Sequence, residues 1–175
     1  MNTLDAIAKR CSCRAYKPGQ LKDEDLKKII EAGNAAPVGM GKYDTLKFTV
    51  VQDKGLIEKI DGAGASFFAK QGVDIPHPLC GAPTFIMVSG AAGDITPMNT
   101  ACVIENMIIE ATDLGVGSCY IMGNVAAIKD NEGFKAALKI PEGFEMVSGL
   151  ILGYPAEEPA ARELVTDKIA AEYIK

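Results

Sequence analysis

The stretch RCSCRAYKPG, residues 10–19, alternates two arginines and a serine with two cysteines. If residues 10–14 are extended, Arg10, Ser12 and Arg14 point to one side and Cys11 and Cys13 to the other, because successive side chains of extended chain leave opposite faces. The first side then offers two forked cations and a hydroxyl over a short span, a donor set suited to a phosphate and adjoining polar groups. The second side offers two thiols that can pack on the core. The same pattern also fits a surface turn with two incidental arginines, or a metal clip. Residue usage bears on the choice. The chain has 15 lysines and only 3 arginines, Arg10, Arg14 and Arg162, so two of the three stand in this stretch.

Other motifs carry less. The five cysteines, Cys11, Cys13, Cys80, Cys102 and Cys119, are odd in number and include no CxxC pair, which argues against a disulfide framework. Zinc would need two ligands beyond Cys11 and Cys13, and the chain has one histidine, His77, so no metal is expected. Gly62-x-Gly64 and Gly115-x-Gly117 lack the third glycine of a dinucleotide fingerprint, and the second follows a helix where the fingerprint follows a strand. Gly-x-Ser-x-Gly is absent. Ser148 lies within an apolar strand and reads as structural, and His77, in IPHP, reads as a loop residue. The carboxylates show no pairing beyond solvated helix faces.

The elements that must position these residues can be read from periodicity. Leu4, Ile7 and Ala8 have helical spacing with Thr3 as N-cap, and that helix ends near Arg10. Asp23 caps a second helix, with Leu26, Ile29 and Ile30 on one face, which stops around Gly33 and Pro37. Residues 35–45 form a glycine-rich loop, and 46–52 a strand. Residues 54–72 begin as helix and then become ambiguous. The apolar run 82–90 reads as a buried strand. The longest helix covers 98–115 and is apolar on nearly all sides, as a helix buried in a core or at a subunit interface would be. A short strand at 117–123, a helix over 125–139 and a strand over 146–155 follow. The tail from Ala156 has no core signal of its own.

Helices and strands are mixed without strict βαβ alternation, which favours α+β over a doubly wound sheet. The 175 residues suffice for one domain, and no linker or repeat divides them, so residues 1–175 are expected to form a single domain. With 48% hydrophobic and 23% charged residues the balance is that of an ordinary globular protein. The net charge of -5 argues against nucleic acid as the main partner. No apolar run approaches the roughly 20 residues that span a bilayer, and the N-terminus lacks a secretory pattern, so the expected location is the cytoplasm.

Three stretches, in order, resemble the nitroreductase family of FMN-dependent oxidoreductases. AIAKRCSCRAYKPGQLKDEDLKKIIEAGNAAPVGMGKYDTLKFTVVQ is similar to that family's opening: a basic Arg-x-Ser-x-Arg segment, an amphipathic helix, an Ala-Pro loop and a first strand. ENMIIEATDLGVGSCYIMG resembles its central helix, glycine turn and strand, and IPEGFEMVSGLILGYPAEEPAAR its last strand and basic tail.

The resemblance implies a homodimeric α+β sandwich, a mixed, mainly antiparallel sheet flanked by helices, with FMN at the subunit interface. Arg10, Cys11, Ser12 and Arg14 would then lie in the segment for the FMN phosphate, ribityl chain and pyrimidine edge. Pro37, Val38 and Gly39 match the loop that the partner subunit lays against the flavin. Met122 and Gly123 match the segment whose backbone N–H groups approach flavin N5 and O4, and Arg162 a tail cation that reaches the phosphate. The implied activity is reduction of FMN by NAD(P)H, then of a nitro, quinone or similar electron-poor acceptor, in ping-pong fashion. No side chain is required as acid or base; Arg14 would stabilise charge at the N1–C2=O edge. Val38 stands where serine is common in the family, Gly41 near where asparagine is common and Tyr120 where tryptophan is frequent. A covering segment is expected to be reduced around 60–80. Two other readings stand beside this one: a non-catalytic flavin-binding or flavin-sensing protein, and a thiol or metal-binding module using Cys11 and Cys13.

Overall fold

Four strands, β1 (Leu46–Val51), β2 (Thr84–Ala91), β3 (Gly117–Ile121) and β4 (Phe144–Gly153), pair into one antiparallel sheet in the order β1-β2-β4-β3. The computed structural model describes residues 1–160 and 162–175. The apolar run TFIMV in β2 is buried along its length because the sheet is covered on both faces. Side-chain alternation divides that run. Ile86 and Val88 join Leu150 and Leu152 of β4 in one core, and Phe85 and Met87 join Ile151 of β4 and Cys119 and Ile121 of β3 in the other.

The first core is closed by α2 (Asp23–Asn34) and α4 (Thr96–Asp113), and the second by α3 (Lys54–Lys70), α5 (Gly123–Ile128) and α6 (Glu132–Ala137). Helix α1 (Thr3–Lys9) packs beside α4. The layers are helix, sheet, helix, so the expected α+β sandwich is the observed one, and within the sheet the pairing is antiparallel throughout. Among the described residues the parallel component is a single bridge outside the strands, Ser12 to Ser118.

Several boundaries differ from the sequence reading. Asn2, not Thr3, caps α1, its side chain accepting the Asp5 N–H at 3.0 Å. Lys22, not Asp23, is the N-cap of α2 and makes no side-chain cap bond; Asp23 is inside the helix, where its charge still favours the positive end. Helix α3 runs unbroken through its glycines to Lys70. Residues 125–139 are two short helices, because the Asn131 side chain accepts the Phe134 N–H and starts a new one. Helix α4 is not buried all round. Val103, Ile104, Met107 and Ile108 enter the core, while Met98 is 64% exposed and Ala101, Cys102 and Glu105 face outward.

Candidate functional site

The opening stretch is extended because other chain segments hold its backbone. The Cys13 N–H donates to the Ser118 carbonyl at 2.8 Å, the Lys17 N–H to the Tyr154 carbonyl at 2.8 Å, and the Ala156 N–H to the Ala15 carbonyl at 2.9 Å. Residues 10–17 thus run alongside the start of β3 and then the chain leaving β4. Their side chains alternate as expected. Cys11 and Cys13, half-buried, line a cavity of about 880 Å3 whose wall includes none of Arg10, Ser12 and Arg14. The thiols therefore do not enter either hydrophobic core, contrary to the expectation that they pack on it. Ser12 and Arg14 are exposed on the opposite side.

The tail brings back the third arginine. The Arg162 guanidinium donates to the Arg10 carbonyl, joining positions 152 residues apart. All three arginines of the chain therefore belong to one edge of the fold. A set of three guanidiniums with the Ser12 hydroxyl has the charge and donors that a phosphate monoester requires.

Behind this edge sits Tyr16, whose hydroxyl donates to the Cys13 carbonyl at 2.8 Å. Burial pushes its phenol far above the ordinary range, and the Cys13, Cys119 and Cys80 thiols add to the shift. Burial likewise pushes the Cys80 thiol up, with Cys119 reinforcing it and the Arg14 guanidinium opposing it.

The second element is the corner after β3. Met122 is 53% exposed, and α5 starts at Gly123. A Cβ on Gly123 would lie 2.2 Å from Cζ of Phe68, so α3 presses directly on this corner. The next residue, Asn124, is buried and donates from Nδ2 to the Ile60 carbonyl at 3.0 Å. Gly64 makes room for it; a Cβ there would stand 2.1 Å from Asn124 Nδ2. Sequence reasoning missed Phe68, Asn124 and Gly64. The one usable signal was the small residue at Gly64, four positions before Phe68 on the same helix.

Beyond α3, the chain to β2 is fixed by Asp61. Its carboxylate accepts the Leu79 N–H at 2.7 Å and lies 3.0 Å from Nδ1 of His77. His77 is thus a loop residue, as expected, held at the surface. Ser148 is structural, as expected: buried in β4, it lies 2.7 Å from the Tyr120 hydroxyl and 3.3 Å from Thr100 Oγ1.

The third element is the loop 35–45, two short 3-10 turns joined by Lys42. Val38 is buried, and the Gly39 N–H donates to Asn99 Oδ1 at 3.0 Å. A Cβ on Gly39 would meet Ile95 Cδ1 at 2.4 Å. Met40 follows with φ of 55° and 81% exposure. Pro37 is exposed as well. Within the chain this loop is fixed to α4, with no hydrogen bond to the arginine edge or to the Met122 corner among the described residues.

Known proteins are similar to this chain in sequence and fold. An Archaeoglobus fulgidus protein described as "Putative NADH dehydrogenase/NAD(P)H nitroreductase" is 28% identical over 155 residues, covering 89% of this chain and 86% of its own. A nitroreductase with bound FMN from Bacteroides fragilis superposes with a TM-score of 0.86 at 30% identity, covering 100% of both chains. Another with bound FMN, from Desulfitobacterium hafniense, gives 0.87 at 26% identity, again over 100% of both. The arginine stretch, the loop at Pro37 and the Met122 corner all lie within residues 7–154, the span that matches the nitroreductase family's sequence pattern, and the chain belongs to that family.

Proposed function

We propose that this chain is an NAD(P)H-dependent FMN oxidoreductase that works as a homodimer of single-domain subunits. The observation that carries the reading is the meeting of Arg162 with the Arg10–Arg14 stretch, which supplies a phosphate-sized cationic edge. FMN, when bound, supplies the redox chemistry: it takes a hydride from NAD(P)H and delivers electrons to a nitro, quinone or similar acceptor, one substrate replacing the other in ping-pong order.

The protein's part is to bind, orient and stabilise charge. Arg10, Ser12 and Arg162 hold the phosphate and ribityl end, with Cys11 contributing main chain between the first two. Arg14 stabilises negative charge at the pyrimidine edge. Met122 and Gly123 present backbone to the ring, on a corner that α3 fixes from behind. Pro37, Val38 and Gly39 serve the partner's flavin. That assignment agrees with a loop attached to α4 yet carrying an exposed Met40. Leu4 and Ile7 on α1 and Met98 on α4 are also exposed, which suits a second copy packed against these helices.

Absorbance of the purified protein and mass spectrometry of the released cofactor test the binding part. FMN, not FAD, is expected. A colourless protein that takes up no added FMN overturns it. Steady-state oxidation of NADH or NADPH with a quinone or nitroaromatic acceptor tests the enzyme. A protein that holds FMN but oxidises neither nicotinamide is a flavin-binding protein without turnover.

A further inference from the structure

The thiol face of the opening stretch is unused by the flavin reading, and we infer that Cys11 and Cys13 form a two-coordinate site for a soft monovalent cation, copper(I). Both thiols are free and line one open cavity of about 880 Å3. Cys119 and Cys80 belong to a hydrophobic core, and Cys11 and Cys13 to neither. A small buried hydrophobe is therefore not their role.

Geometry selects the ligand class. The Ser12–Ser118 bridge keeps the segment extended, so the two Cα atoms are separated by two strand steps, about 6.6 Å. A metal–thiolate bond of about 2.3 Å sets two opposed sulfurs about 4.6 Å apart, so each side chain leans inward by about 1 Å. Cys13 Sγ packs on Gly117, where a Cβ would meet it at 2.7 Å, and its S–H donates to the Ala15 carbonyl at 3.3 Å, a bond that the metal would replace. A disulfide between the same residues sits at the upper edge of the usual Cα separation. A tetrahedral ion has too few ligands: no group of three histidine, cysteine or carboxylate side chains able to hold a metal occurs among the described residues. Soft thiolates without nitrogen or oxygen partners suit copper(I).

Charge agrees. On binding, two S–H bonds break, two Cu–S bonds form and two protons leave to solvent, giving a bis-thiolate complex of charge -1 with copper remaining monovalent. The same cavity is lined by Lys9, Lys17 and Glu158, while Asp113 is taken by the amino group of Met1. Two free cations against one free carboxylate match one negative charge.

The test is anaerobic titration of the purified full chain with copper(I) against a colorimetric copper(I) chelator. One equivalent per chain is expected. Cys11→Ser and Cys13→Ser should each weaken it by more than the roughly 10–100-fold that loss of an outer-shell partner costs. Cys102→Ser, which changes a thiol outside the cavity, should leave it intact. Alkylation mapped by mass spectrometry needs no variant: copper(I) should protect Cys11 and Cys13 while Cys102 reacts at its original rate. X-ray absorption should show two sulfur neighbours. Absence of uptake, uptake insensitive to both serine variants, protection of other cysteines instead, or equal uptake of zinc(II) would each overturn the inference.

Discussion

The corner at Met122 and Gly123 and the loop at Pro37, Val38 and Gly39 are both proposed to serve the flavin, yet they are held in opposite ways. The corner is made by the interior. Gly64 and Gly123 let α3 and α5 approach so closely that neither position has space for a Cβ, and buried Asn124 is tied to Ile60. The loop hangs on the outside, fixed by the Asn99–Gly39 hydrogen bond and by buried Val38, with Met40 in the left-handed region and exposed. The tail is like the loop, since exposed Arg162 meets Arg10 from outside. The difference teaches where precision comes from. The part proposed to present backbone to the flavin ring is set by core packing, and the parts proposed to complete the site from outside are set by a few polar contacts. Changes at the corner should cost global stability, whereas changes at the loop and tail should cost ligand binding or local order.

Gly64→Ala should give the largest effect. The new methyl would stand 2.1 Å from Asn124 Nδ2, forcing that buried side chain off its bond to Ile60. Overpacking together with a lost hydrogen bond costs about 3 kcal/mol. For a chain of this size that lowers Tm by about 6–12 °C. A calorimetric scan checks it, and an unchanged Tm would show that the corner yields like the loop.

Arg162→Ala comes next and tests the outer class. A charge-assisted hydrogen bond is worth roughly 1.5–3 kcal/mol, a loss of about tenfold to hundredfold in affinity. FMN binding should weaken by that amount, while riboflavin, which lacks the phosphate, should bind as before and Tm of the flavin-free protein should hold. Equal weakening for both flavins would place Arg162 at the ring or in the fold itself.

Asn99→Ala leaves the Gly39 N–H without its partner. The expected loss is about 1 kcal/mol, felt in the loop and little in the fold as a whole. Limited proteolysis near Met40 should quicken about fivefold, with the Tm shift below that of Gly64→Ala. A large global destabilisation would erase the contrast between the two regions.

The meeting of the arginine segments was legible because it is written in residue types. Three arginines among fifteen lysines, and alternation in RCSCR, point to one edge without knowledge of the fold. The apolar runs at 82–90 and 146–155 marked buried strands for the same reason: a sheet covered on both faces needs unbroken hydrophobicity. The corner was not legible. Phe68 against Gly123, and Gly64 against Asn124, are contacts between helices nearly 60 residues apart, and a glycine in a helix reads as a weak point until its neighbour is known. Thr3 and Asp23 were mistaken for caps because the true N-caps stand one residue earlier, and the cap position depends on backbone geometry. Helix α4 was expected in a core or at a subunit interface; it has a core face, and its outward face carries Met98 and Cys102, and composition alone does not tell a core face from one awaiting a partner.

Tyr16 gives the smallest effect and the most specific one, because it is an interior support for the outer arginine edge. Its hydroxyl donates to the Cys13 carbonyl, and burial raises its phenol above the ordinary range. At pH 7 Tyr16→Phe should cost about 0.5 kcal/mol, the low end of the worth of one hydrogen bond. The pH dependence follows from the direction of the shift. The folded state holds the phenolic proton more tightly than the unfolded chain, in which tyrosine titrates near about 10. The stability this contributes is complete below about pH 10 and is lost as the pH rises through the higher folded value. Phenylalanine has no proton to lose, so the variant lacks that alkaline decline. Urea midpoints of the two proteins should therefore differ at pH 7, converge above about pH 10 and then cross. Lysines and the remaining tyrosines titrate in both proteins and cancel in the comparison. A gap that stays constant with pH would mean that the phenol reaches solvent, and the interior support of the arginine edge would then rest on packing alone.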